Sequence, residues 1–127
     1  MLTTQDALRA YAAMMNTLDV SRLEPVLCDN FRYASQWVFS EIDSKSAYMD
    51  YMALKLQTVR ANANHVWAEM AWLDYEVPKP CVVLSQGEKD NRVALVLAEV
   101  ENGQIKRLDM CCAPSPHSAR RIGEFPE

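Results

Sequence analysis

Glycine is scarce in this chain, with three residues in 127, and no stretch is repetitive or of low complexity. That excludes a disordered or repeat architecture. Histidine is limited to His65 and His117, and the four cysteines, Cys28, Cys81, Cys111 and Cys112, show no C-x-x-C or Cys/His ligand spacing. Neither a structural metal nor a cofactor is therefore expected. No apolar run approaches the length needed to cross a bilayer, so no membrane partner is expected. The first residues, Met-Leu-Thr-Thr-Gln-Asp, lack the charged and apolar regions of a signal peptide. The expectation is a cytoplasmic location with reduced thiols. Positive charge is short as well: 13 Lys and Arg against 17 Asp and Glu leave a net charge of -4. The basic cluster is Arg120-Arg121 alone, which argues against nucleic acid as a partner, because phosphate binding needs clustered Lys and Arg.

What is present suits a single domain over residues 1–127. Half of the chain is hydrophobic and 24% is charged, enough for one core. Thr3 or Thr4 can cap a first helix with Asp6 in its first turn. Ala7, Leu8, Tyr11, Met14, Met15 and Leu18 then fall at helical spacing, and the helix should stop between Asn16 and Asp19. Ser21-Arg-Leu-Glu24 reads as a capping box, predicting a short second helix with Pro25 early in it. Phe31 to Phe39 alternates as a half-buried, aromatic-rich strand, with Phe31, Tyr33, Ser35, Trp37 and Phe39 on one face. The other face carries Arg32, Ala34, Gln36 and Val38. Asp43 or Ser44 caps a third helix, carrying Tyr48, Tyr51, Met52, Leu56 and Val59 and ending near Ala61 to Asn64.

His65 to Tyr75 reads as a long strand, with both alternating sets partly apolar. The helix formers Ala68, Glu69, Met70 and Ala71 leave a helix as the alternative. Cys81 to Gln86, Arg92 to Glu101 and Gln104 to Cys112 read as strands, the last two joined by the hairpin signal Asn102-Gly103. The tail from about residue 113 has no period and is expected to be irregular. Helices followed by a run of strands predict an α+β fold. One strongly bent antiparallel sheet would pack against three helices of the N-terminal half and leave a cavity at its wide end.

Three stretches carry a family resemblance. Tyr11-Ala-Ala-Met-Met-Asn-Thr-Leu-Asp19 resembles a Tyr-x(4)-Asn-x-x-Asp helix end. Leu23 to Phe39 resembles a Leu-x-Asp-Asp/Asn-aromatic lead into a first strand. Asn102 to Met110 resembles an Asn-Gly-Lys-Ile hairpin into a last strand. Together they resemble the NTF2-like superfamily, in the branch that holds SnoaL-like polyketide cyclases and ketosteroid isomerases. The resemblance implies the NTF2-like cone. It also implies a site: a tyrosine on the first helix as oxyanion donor, a carboxylate base on the first strand and a protonated aspartic acid on a later strand. Tyr11 stands at the tyrosine position, Ser35 at the base position and Val96 near the third. Standard ketosteroid isomerase activity is therefore disfavoured: a serine is no base without an activating partner, and valine donates nothing.

The ligand-binding expectation is a cavity around Tyr11, Met15, Tyr33, Ser35, Trp37, Tyr51, Met52, Trp67, Val96 and Met110. Such a lining would take a small hydrophobic molecule with a carbonyl or hydroxyl; polyketide-, steroid- or terpenoid-like compounds are implied by the resemblance. The alternative is a SnoaL-like isomerase, cyclase or dehydratase with Tyr11 as acid or oxyanion donor and Glu69 or Asp19 as base. Glu69 is expected to face outward, since facing inward costs desolvation, and Asp109 to face away from the cavity. A homodimer is a further expectation, through the sheet's outer face at Arg32, Gln36, Val38 and the Arg107/Asp109 edge.

Overall fold

The computed structural model describes residues 1–37, 40–62 and 65–127. The first helix, α1, spans Thr4–Thr17. The Thr3 hydroxyl accepts from the Asp6 N–H and the Asp6 carboxylate accepts from the Thr3 N–H, both at 3.0 Å. This reciprocal box satisfies two of the donors that a helix start leaves open. Leu18 ends the helix in the left-handed region, at φ 56°, and its carbonyl accepts from Arg60.

The predicted second helix is instead two 3-10 turns, Val20–Arg22 and Glu24–Val26. Asp19, not Ser21, caps the first of them through the Ser21 N–H. Pro25 is the reason: it disfavours helical backbone at Glu24 and removes a donor, and the remaining residues are too few to nucleate a helix. The first strand, β1, spans Leu27–Ser35. It starts four residues before the expected Phe31 and gives way to a turn at Gln36 and Trp37. The rest of the expected strand, Val38 and Phe39, lies outside the described residues. The second helix, α2, is Lys45–Ala61, capped by Ser44, which accepts from the Ala47 N–H at 3.1 Å.

Four strands follow: β2 Val66–Leu73, β3 Lys79–Gln86, β4 Arg92–Glu101 and β5 Gln104–Cys111. The hairpin between β4 and β5 turns on Asn102 and Gly103, both at positive φ, as a two-residue primed turn requires. The tail is not irregular. It forms a 3-10 turn at Pro116–Ser118 and a sixth strand, β6, at Arg120–Glu124. The six strands make one sheet in the order β1-β5-β4-β3-β2-β6. Four neighbouring pairs are antiparallel, but β1 runs parallel to β5, so the sheet is mixed and not wholly antiparallel as expected. No helix among the described residues is long and apolar enough to cross a membrane.

Two apolar layers lie on opposite faces of this sheet. On the inner face α1 and α2 bury Leu8, Tyr11, Met14, Tyr48 and Met52 against Met70, Val82, Val96 and Leu108. On the outer face Ala71, Leu73, Cys81, Val83, Leu95 and Cys111 form a smaller cluster closed by Ala119 of the tail. A sheet covered on both sides needs apolar residues in both alternating sets, which is the pattern of His65 to Tyr75.

Candidate functional site

Four tyrosines converge between the helices and the inner face of the sheet. Tyr11 comes from α1, Tyr33 from β1, and Tyr48 and Tyr51 from α2. The Tyr48 ring lies 4.7 Å from Phe31, 5.1 Å from Tyr33 and 6.3 Å from Tyr51, and Tyr33 lies 5.7 Å from Tyr51. Tilted pairs at these spacings suit the aromatic quadrupole. Local sequence explains the placement. Tyr48, Met52 and Leu56 recur every four residues and point one stripe of α2 inward, while Phe31, Tyr33 and Ser35 alternate on the inner face of β1.

The phenols of Tyr11, Tyr33 and Tyr48 stay protonated at neutral pH. Burial pushes Tyr11 well up, helped by Tyr33 and Tyr51. Burial does the same for Tyr48, helped by Tyr11, Tyr33 and Tyr51, and for Tyr33, helped by Tyr51. The cluster therefore offers O–H donors and no phenolate. Its acceptors are few. The Tyr33 hydroxyl donates to the Met110 sulfur at 3.7 Å, a weak acceptor. The buried Tyr48 hydroxyl has no hydrogen-bond partner among the described residues.

The expected site residues fall into three groups. Tyr11, Met15, Tyr33, Met52, Val96 and Met110 are buried together in the inner core, and Ser35 stands half-buried on β1 opposite Met110. Tyr51 and Trp37 are at the surface, 37% and 54% exposed; the Trp37 N–H is held by the Ser35 hydroxyl at 3.3 Å. Trp67 is not in this group. It alternates with the inner-core residues Ala68 and Met70, so it lies on the outer face, where its ring packs 4.4 Å from His65. The expectation of a pocket-lining Trp67 is corrected by this register. Val96, at the third position, is fully buried and apolar.

The carboxylates expected as bases are elsewhere. Asp19 sits at the end of α1 and accepts from the Ser21 N–H and hydroxyl, which hold its carboxyl below the usual range. Asp109 pairs with Arg107 at 3.0 Å on the outer face. Glu69 is on the outer face too, but only 4% exposed. Its carboxylate accepts from Arg121 Nε at 2.7 Å and from the Gly123 N–H at 3.0 Å. Facing away from the helices did not leave it in water, because β6 closes over it. Ion pairing and a backbone donor supply what burial removes. Among the described residues Glu69 is the buried charged side chain, and it does not share the tyrosine cluster. The interior thus holds hydroxyls without a base beside them.

Two residues that sequence reasoning missed organise the site. Tyr48 stands in the sequence as one helix-face residue among several; its recurrence with Met52 and Leu56 is the available signal. Gln36, read as an outward residue open to a partner, instead accepts from the Cys112 and Ala113 N–H groups at 2.7 and 2.9 Å and donates to the Ala113 carbonyl at 2.9 Å. Its side chain fastens the turn after β1 to the chain leaving β5.

Helices over one face of a bent, mixed sheet, with tyrosine and serine pointing between them, can be set beside known proteins. An NTF2-like protein of unknown function from Cytophaga hutchinsonii superposes with a TM-score of 0.62 over 92% of this chain and 96% of its own, at 18% identity. A SnoaL-like protein of unknown function from Burkholderia thailandensis gives 0.64 over 87% and 96%, at 12% identity. The fold is NTF2-like. A protein with a ketosteroid isomerase-like fold from Catenulispora acidiphila, solved in complex with trimethylamine, gives 0.56 over 90% of each chain, at 13% identity. No protein-family model matches this sequence, and none of the curated proteins does. The NTF2-like likeness fixes the architecture and leaves the activity to be argued from the site, because one fold hosts many functions.

Proposed function

We propose that the tyrosine cluster is the binding site of a small hydrophobic molecule that carries an acceptor oxygen. The observation that supports this most is the Tyr48 hydroxyl, buried beside Tyr11 and Tyr33 with no partner among the described residues. A buried donor left unpaired costs about 1–3 kcal/mol, and a ligand carbonyl would recover it. An unpaired hydroxyl is satisfied by an acceptor oxygen on the ligand. The apolar walls, Met15, Met52, Val96 and Met110, select for a hydrophobic body. A molecule enters by displacing Tyr51, the one ring of the cluster that is substantially exposed.

The test compares a flat, fused-ring ketone with its deoxygenated hydrocarbon by isothermal titration. The ketone should bind more tightly, and Tyr48→Phe should weaken it about tenfold, one neutral hydrogen bond's worth, while leaving the hydrocarbon's affinity unchanged. Equal binding of ketone and hydrocarbon, or binding of neither, overturns the proposal.

A further inference from the structure

Helix α2 leads out of the tyrosine cluster. Tyr48, Tyr51, Met52 and Lys55 follow at three- and four-residue intervals and share one stripe. Exposure rises along it: Tyr48 and Met52 are buried, Tyr51 is 37% exposed and Lys55 is half-buried. Lys55 folds back over Tyr51, its Nζ 5.7 Å from the ring centre. The Tyr51 ring in turn lies 5.7 Å from Tyr33 and 6.3 Å from Tyr48. The ammonium therefore stands at the outer corner of the cluster. The inner corner holds the Tyr48 hydroxyl, which has no partner among the described residues.

Lys55 takes part in none of the salt bridges among the described residues. The residues one turn away on its helix, Tyr51, Met52, Thr58 and Val59, bring no carboxylate to it. Its charge rests on an aromatic face instead, and a carboxylate outbids such a face, because a charge-assisted hydrogen bond is the stronger contact. We propose that Lys55 is an anion-binding position of the tyrosine site, and that the ligand is an oxo acid. The inference rests on reading the cluster as a binding site. The ligand has a hydrophobic body, with an acceptor oxygen at one end for Tyr48 and a carboxylate at the other for Lys55. Seven residues of helix set Tyr48 and Lys55 about 10 Å apart along the axis, and that spacing sets the distance between the two ends. The carboxylate also eases entry. By drawing Nζ off Tyr51 it frees the ring that the body of the ligand must displace.

The test uses a fused-ring ketone with a carboxylate at the opposite end of the ring system, and the methyl ester of the same molecule. Each is titrated calorimetrically into the original chain, Lys55→Met and Lys55→Arg. Methionine keeps a long apolar stem over Tyr51 and removes the charge. The acid should bind the original chain about tenfold more tightly than the ester, one charge-assisted hydrogen bond's worth. Lys55→Met should erase that difference by weakening the acid alone, and Lys55→Arg should keep it. Added salt should narrow it without changing the ester's affinity. Ester binding with no preference for the acid overturns the anion position and leaves the tyrosine site standing. A preference for the acid that survives in Lys55→Met overturns Lys55 as its seat. Binding of neither molecule overturns the tyrosine site and this inference together.

Discussion

Deleting a hydroxyl usually costs a protein the hydrogen bond it made, about 1 kcal/mol. At Tyr48 the sign reverses, because the buried oxygen has no partner among the described residues to lose. Tyr48→Phe keeps the ring against Phe31 and Tyr33 and removes an unpaid desolvation. It should stabilise the ligand-free chain by about 1 kcal/mol, raising Tm by roughly 3–5 °C. Thermal unfolding followed by circular dichroism reads this directly, and a drop in Tm would mean that the hydroxyl is bonded after all. Under the proposed binding function, ligand affinity and stability should move in opposite directions at this one atom. Little of this was legible in the sequence. Tyr11 and Ser35 could be placed by motif, but which tyrosine hydroxyl is left unpaired depends on how rings from three separate elements meet.

The elements show where local sequence decides and where it does not. Capping chemistry placed α1 and α2 closely, since Thr3, Asp6 and Ser44 act on backbone groups three residues away. Alternation and the Asn-Gly turn placed β2 to β5. The parallel pairing of β1 with β5 and the strand β6 were not legible, because each is settled by distant partners. Asn16 shows the principle. Its side chain donates to the Ala68 carbonyl at 2.9 Å and to the Pro126 carbonyl at 2.7 Å, and accepts from the Ala68 N–H at 2.8 Å. It occupies the edge of β2 just where β6 stops pairing, and ties α1, β2 and the chain terminus together. Asn16→Ala leaves both Ala68 backbone groups without a partner. The expected cost is about 2 kcal/mol, seen as a lower urea midpoint with an unchanged m value. An unchanged midpoint would show that water replaces the side chain without loss.

For the whole molecule, the two apolar layers oppose alkaline pH in the same way. The thiol of Cys81, on the outer face, is pushed up to about 12 by burial, and burial raises Cys111 as well. The unfolded values are near 8.5. A raised folded pKa means that the folded chain keeps protons the unfolded chain has released. Stability is then whole below the unfolded pKa and falls as pH rises through the folded one. The folded chain therefore begins to lose stability just above pH 8.5. Tyr11, Tyr33 and Tyr48, in the inner layer, are raised by the same burial, from an unfolded value near 10. Above pH 10 those three phenols together make unfolding easier by up to about 4 kcal/mol per pH unit. Raising the pH slowly should thus bring thiolate absorbance near 240 nm from Cys81 and Cys111 together with the cooperative phenolate step at 295 nm, because the buried groups ionise as the chain opens. That step should coincide with the loss of helical circular dichroism. In Tyr48→Phe it should shrink by one tyrosine and move to higher pH. Phenolate from the cluster appearing while α1 and α2 are still folded would show that water reaches those hydroxyls, and the inner face would then be an open chamber at rest.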